Sequence, residues 1–450
     1  MSDELPPGWA VASMSEVAEV QLGRQRSPQH HTGDQMRPYL RSANVTWNGI
    51  DLGDVKEMNF DDADFEKYRL RAGDLLLNEA SGSPNEVGKP AIWHGEIDGC
   101  CFQNTLLRLQ TPELDRGYVY WYCHLSARSG RFGDAGRGVN IRHLGKQGLA
   151  RFPIPIAPVA EQKRIVAAIE EHFSRLDAAE AALRLALNRL DNLRSSILAD
   201  AFHARSELPE GWQKMTISQV ADVQLGRQRS PQHHSGEQMR PYLRAANVSW
   251  EGIVLDDVKT MNFDDADFEK YRLTRGDLLL NEASGSPNEV GKPAIWDGQI
   301  EDCCFQNTLL RLRPRAVALR YLYWYCYLSA LSGEFGEAGR GVNIRHLGKQ
   351  GLAHFPIPVA PPGIQDEVVA RNDQQMSAVE ESRRTLTTTL HRVAALRRSV
   401  LATAFSGRLV LQDPDDEPAS VLLERIAATR PAGRVSQSRS ARPRSARGTA

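Results

Sequence analysis

The sequence has no run of apolar residues near the ~18 that a membrane-spanning helix needs, which argues against a chain that crosses a bilayer. Its first residues, MSDELPPGW, are acidic and carry no apolar stretch, so no secretory signal is expected. Cysteine is scarce, six in 450 residues, and without a signal that number points to reduced thiols in a cytoplasm rather than a disulfide framework. Net charge is nearly absent at −1. That figure hides an asymmetry, because residues 430–450 hold six arginines and no acid, leaving 49 basic against 56 acidic residues, or −7, for 1–429. A body this acidic does not bind nucleic acid indiscriminately, so any DNA-binding surface is a local patch. What is present is ordinary globular composition, 41% hydrophobic and 25% charged, with enough apolar material for more than one core.

A repeat with an offset of 203 residues organises the chain. GDLLLNEASGSPNEVGKPAIW at 73–93 recurs unchanged at 276–296, and AGRGVNIRHLGKQGLA at 135–150 recurs at 338–353. Residues 9–157 match 212–360 at 113 of 149 positions, about 76%, whereas 158–202 match 361–405 at only 15 of 45. Either the body was copied separately from the segment that follows it, or both copies are constrained to one task. Two large copies suggest pseudo-twofold symmetry and two equivalent surfaces.

The diverged segments read as long helices. After Pro158, about 40 residues run without Gly or Pro, rich in Ala, Leu, Glu and Arg. Ile169, Leu176, Leu183, Leu190 and Ile197 are spaced by seven, with Phe173, Leu187 and Leu193 between them. The second copy places Asn372, Val379, Leu386, Val393 and Val400 there, with Met376, Leu390 and Leu396 between. Helices of ~60 Å do not stand alone in water, and the simplest solution packs them antiparallel, as a rigid spacer or as an ordinary hairpin core.

The repeated body mixes strand-like runs (39–45, 73–78, 90–93, 100–109) with a short aromatic helix at 118–127. The expected fold class is α+β: two near-identical globular domains separated by two long helices in an antiparallel coiled coil. Three polar stretches lack periodicity: GRQRSPQHH at 23–31, NEASGSPNEVGK at 78–89 and GRGVNIRHLGKQ at 136–147. Their side chains donate to phosphates or pair with base edges, Arg with guanine and Asn or Gln with adenine. All three are unchanged in the second copy, whereas 110–117 has changed throughout, as a loop without a task would.

Catalytic motifs are missing. GSPNEVGKP has the wrong spacing for a phosphate loop and lacks the Ser or Thr after Lys. No adenine-methyltransferase tetrapeptide and no G-x-G-x-x-G follow a strand. The nuclease-like Glu161-Gln162-Lys163 becomes Ile364-Gln365-Asp366 in the second copy, so it reads as chance. Cys100, Cys101, Cys123 and their counterparts lie among aromatic and aliphatic residues, away from zinc spacing, and read as buried thiols. No metal site is expected. His30-His31 read as loop donors, and Asp61, Asp62 and Asp64 as acids at a helix start.

Taken together, these parts resemble the specificity (S) subunit of type I restriction-modification systems. The likeness rests on LPPGW opening each repeat, GDLLL…GSP…VGKPAI, FQNTLLRL, the N-I-x-x-L element, FPIPIAPVAEQKRIV at 152–166, SSILADAF at 195–202 and GRLVLQDPDDEPASVLLERI at 407–426. The resemblance implies target recognition domains at 5–157 and 208–360, spacer helices at 158–203 and 361–406, a C-terminal segment at 407–429 and a disordered Arg-rich tail at 430–450. It implies a non-catalytic DNA-binding subunit acting in the cytoplasm. Its partners would be double-stranded DNA, two modification (methyltransferase) subunits and restriction/translocase subunits. S-adenosylmethionine, ATP and Mg would sit on those partners, and none in this chain. Methylation would be at adenine N6. The second copy loses Glu161 and Lys163, where the resemblance places modification-subunit contacts, so these contacts would differ between the helices. The tail reads equally as a non-specific DNA contact or a solvated end.

Two bodies with the same readout loops are expected to read the same half-site of a bipartite, gapped target, an interrupted inverted repeat. Candidate DNA contacts are Arg24, Arg26, Gln29, His30, Asn44, Asn85, Lys89, Arg137, Asn140, Arg142 and Lys146. Their counterparts are Arg227, Arg229, Gln232, His233, Asn247, Asn288, Lys292, Arg340, Asn343, Arg345 and Lys349. An enzyme in its own right, a protein-binding scaffold and a system that only methylates stay open on sequence alone.

Overall fold

The computed structural model describes residues 5–138, 140–202, 208–339, 341 and 344–429. Arg340, Asn343 and the arginine-rich tail from Arg430 lie outside the described residues. The chain divides into two compact units, one built from residues up to Glu180 and from His391 on, the other from Ala181–Leu390. The division falls within the long helices Val159–Ala201 and Pro362–Ala404, so each unit holds one copy of the body and half of each helix.

In the first unit an antiparallel sheet runs in the order Glu19–Leu22, Leu106–Gln110, Leu75–Asn78, Pro90–Ile92. The central run LLLN is buried throughout because it serves two cores at once. Side chains alternate across a strand. Leu75 and Leu77 therefore join the core that holds Tyr118, Tyr122 and Ile169, while Leu76 joins Leu40, Trp93 and Phe102 on the other face. A second sheet places Met36–Leu40 between Lys56–Asn59, antiparallel, and Cys101–Phe102, parallel. The strand expected over 39–45 stops at Leu40. The Asn44 side chain accepts from the Arg41 amide at 3.0 Å and donates to the Asp51 carbonyl at 2.9 Å, winding Ser42–Asn44 into a 3-10 turn. Helix Asp62–Tyr68 begins at Asp61, whose carboxylate accepts from the Asp64 amide. The six cysteines are buried, and burial pushes the thiols of Cys100, Cys101, Cys303 and Cys304 up to about 12.

The aromatic helix Arg116–Arg128 docks the body onto the long helices. In the first unit its Tyr118 and Tyr122 rings meet Phe405 edge-on at 5.1 Å, and Trp121 meets Phe173 at 4.8 Å. In the second unit Phe202 takes the place of Phe405, against Tyr321 and Tyr325. Each body is thus anchored by the last turn of the long helix that closes the other copy.

Within each unit the helix halves run in opposite directions. In the first unit Glu180 pairs with Arg397 at 3.0 Å, while Ile165 and Ile169 share a core with Leu401 and Ala404, so one helix half ascends as the other descends. In the second unit Asp191 pairs with Arg383 at 2.8 Å, and Leu198 shares a core with Met376. Of the expected seam, Ile169, Val379 and Val393 are buried, and Leu176, Leu183, Leu190, Ile197, Leu386 and Val400 are half-buried. Leu193 and Leu396 do not fill the seam, being 48% and 51% exposed. Asn372, at Ile169's position, is fully buried with both amide atoms unpartnered.

The changed stretch at 110–117 is not an idle loop. In the first unit the helix Ala419–Thr429 covers Met14–Val17, through Leu422 and Ile426. In the second unit the cover comes from the changed stretch itself. The Arg315 and Ala316 amides donate to the Val220 carbonyl at 2.8 and 3.2 Å, and Arg315 also donates to the Ser218 carbonyl at 2.7 Å. Glu161 differs from Ile364 for the same reason. It is buried, accepts from Trp9 at 3.0 Å and from Gln412 at 2.7 Å, and ties the C-terminal segment down. Burial pushes its carboxyl above the usual range.

Candidate nucleic-acid interface

Register places the polar stretches side by side. Leu22 pairs with Leu107 and Asn78 with Leu106, so the chain leaves two strands at the same sheet end where it enters a third. The turn at 103–105 then bonds both neighbours. The Asn104 amide donates to the Arg24 carbonyl and the Glu79 amide to the Thr105 carbonyl, each at 2.9 Å. The third stretch joins through Arg142–His143, which pairs with Ala80–Ser81, and through the Leu144 amide on Glu79. His143 faces Glu79 at 3.0 Å. The result is one row, 23–31, 103–105, 78–82 and 140–146, along one end of the sheet. The second unit repeats the central bonds, Asn307 to Arg227, Glu282 to Thr308 and Leu347 to Glu282, at the same 2.9 Å.

The eleven candidates of the first copy, seven in this row and Asn44, Asn85, Lys89 and Arg137 outside it, divide by where their polar atoms point. Arg24 points inward. It donates to the Asn59 carbonyl, pairs with Asp64 at 2.5 Å and lies over the Phe60 ring. Arg227 does the same with Asn262 and Asp267. Asn44 and Asn247 are buried in their 3-10 turns. Lys89 is held by Glu86 at 2.5 Å beside Trp47, and Lys292 by Glu289 beside Trp250. These six are committed to the fold. A donor-rich sequence cannot distinguish them from presented donors, because direction is decided by tertiary partners.

Arg142 is half-committed, donating to the Gly133 carbonyl at 3.0 Å and to Asp134 at 3.1 Å; Arg345 donates to the Gly336 carbonyl. Gln29 and His30 lie against each other at 3.3 Å, as do Gln232 and His233 at 3.2 Å, in the 3-10 turns Pro28–His30 and Pro231–His233. Arg26, Asn85, Arg137, Asn140 and Lys146 are exposed and make no ion pair or side-chain hydrogen bond among the described residues, and the same holds for Asn288 and Lys349. Arg229 donates to His234 at 3.1 Å.

The structure adds Tyr39, Arg41, Lys56, Glu57 and Gln103, which the sequence pattern passed over. With Arg26 and His31 they line a bowl of about 490 Å³. Asp54 bridges Arg41 and Lys56 beside it, and the Lys56 ammonium holds its carboxyl below the usual range. At the tip of the third stretch Ile141 and Ile344 are 54% and 55% exposed. An apolar side chain there suits contact with a thymine methyl. The bowl drew no notice in the sequence because its members come from four separate segments.

The chain was compared with known proteins. No family model matches it. It is 24% identical to the type I restriction enzyme EcoKI specificity subunit of Escherichia coli K12 over 466 residues, 95% of this chain and 97% of that one. Against the StySPI specificity subunit of Salmonella potsdam the identity is also 24%, with 95% and 96% covered. Among solved structures, a chain from a study of complex assembly and conformational transition in the type I R-M system superposes with a TM-score of 0.72 at 19% identity. It covers 90% of this chain and 100% of that one. The HsdS subunit from Thermoanaerobacter tengcongensis gives 0.55 at 21% identity, covering 90% and 99%. Among the described residues no helix is long and apolar enough to cross a membrane.

Proposed function

We propose that this chain, which is a specificity subunit of the type I restriction-modification family and so a non-catalytic recognition subunit, binds double-stranded DNA along the loop row at the sheet end of each body. The observation that carries the reading is that row. Three stretches left unchanged between the copies are brought to one edge, and they present Arg26, Arg137, Asn140 and Lys146 with no internal partner. Such groups serve phosphates and base edges. Because the stretches are the same in both bodies, both read nearly the same half-site. Two readers of one half-site on a single chain call for a target that is an interrupted inverted repeat, with half-site centres on the order of one DNA turn apart. Modification subunits carrying S-adenosylmethionine methylate adenine at N6 there. Restriction subunits carrying ATP and Mg complete the system.

The test is an adenine-methylation map of DNA from cells carrying this chain with its modification subunit. The map should show a gapped inverted repeat, lost in the double variant Arg26→Ala and Arg229→Ala while the purified protein keeps its melting temperature. Arg24→Ala is the contrast. It leaves Asp64 and the Asn59 carbonyl without their partly buried partner and should cost stability, by about 1–3 kcal/mol. A map unaltered by loss of Arg26 and Arg229 would place readout elsewhere.

A further inference from the structure

The two bodies are near copies, and the bowl beside the first loop is where a difference between them bears on readout. Six of its seven lining residues have identical counterparts, Arg229, His234, Tyr242, Arg244, Lys259 and Gln306. The seventh does not: Glu57 is Thr260 in the second copy. Glu57 sits on the strand Lys56–Asn59, whose register sets it opposite Pro38 and so beside the Lys56–Tyr39 pair. The side chain is exposed and makes no hydrogen bond or ion pair among the described residues, although Arg26, Arg41 and Lys56 line the same bowl. Thr260 is exposed as well. Neither residue is needed for packing, so the difference is free to act on whatever enters the bowl.

The chemistry of the two side chains differs in a way DNA can sense. An ionised carboxylate only accepts hydrogen bonds. Against a base edge it selects an exocyclic amine, cytosine N4 or adenine N6, and it is repelled by the acceptor-only edge of guanine N7 and O6. A threonine hydroxyl donates and accepts, so it bonds any base. The surrounding arginines and lysine draw the phosphate backbone to the rim and offset the approach of a carboxylate to DNA.

We propose that Glu57 is a specificity-determining residue. It makes the half-site read by the first body stringent for an amino-bearing base at one position, where the half-site read by the second body, with Thr260, is degenerate. The target is then an inverted repeat broken at that one position. This rests on the DNA-reading role proposed above and adds one base to it.

Methylation maps of the wild-type chain and of Glu57→Thr and Thr260→Glu, each with the modification subunit, test the assignment. In the wild type, one half-site should require cytosine or adenine where its mirror position accepts any base. Sites with the wrong base there should be methylated about 5- to 100-fold less, the usual worth of one good base contact. Glu57→Thr should make both halves degenerate, and Thr260→Glu should make both stringent. Both substitutions are at exposed positions, and unchanged melting temperatures check that folding is intact. A wild-type motif with identical halves, or maps that both variants leave unaltered, would overturn the assignment while the DNA-reading role stands. Absence of any motif tied to this chain would overturn the role itself and the assignment with it.

Discussion

His124 sits edge-on to Trp47 at 5.0 Å and to Trp121 at 5.4 Å, and its Nδ1 is buried without a partner. Burial, with the Arg128 and Arg397 charges nearby, pushes the imidazole down to about 4. The folded state therefore holds the neutral ring, while the unfolded chain takes up a proton near 6.5. The contribution to stability is complete above about pH 6.5 and is lost as pH falls from there toward 4. The second body has Tyr327 at this position. His124→Tyr should therefore flatten the acid limb of stability by about 2 kcal/mol between pH 7 and 5, measured by denaturant titration at both values. Equal acid losses in variant and wild type would assign the limb to other groups. The same scale shows what composition conceals. Arg24 and Arg26 are two residues apart and chemically identical. One is bound to Asp64 and the Asn59 carbonyl and the other is exposed, because the fold brings an acceptor and a carboxylate to Arg24 and, among the described residues, none to Arg26.

At the scale of elements, the aromatic helix, the buried LLLN strand and the heptad seam were legible from spacing alone, since period and burial follow from backbone geometry. The role of 110–117 was not. Its change in the second copy compensates for the C-terminal helix Ala419–Thr429, which covers Met14–Val17 in the first unit where Arg315 and Ala316 serve Val220 in the second. Leu422→Ala and Ile426→Ala, both buried positions, should each cost about 2–5 kcal/mol. Hydrogen exchange should localise the loss. Amides of Met14–Val17 should lose protection, while those of Ile217–Val220 keep theirs. Equal deprotection in both segments would refute the division of labour between helix and loop.

For the whole molecule, the two helices of 43 residues each are the ruler in the proposed function. One heptad inserted at the middle of both adds about 10 Å at 1.5 Å per residue, or about three base pairs at 3.4 Å. The methylated motif should keep its two half-sites and gain about three unspecified bases between them. A motif with its original gap would remove the ruler role. By itself the sequence determined the repeat, the long helices and the family likeness, because each is written in periodicity or in runs of residues, while the antiparallel course of the helix halves within each unit came from the tertiary structure. Only the tertiary structure decided which polar side chains are presented. Arg24 turned inward to the Asn59 carbonyl and the Asp64 carboxylate far along the chain, and Glu57 was set among Arg26, Arg41 and Gln103 from other segments. A hydrogen bond fixes direction as well as distance, and the partners that impose it meet only when the chain has folded.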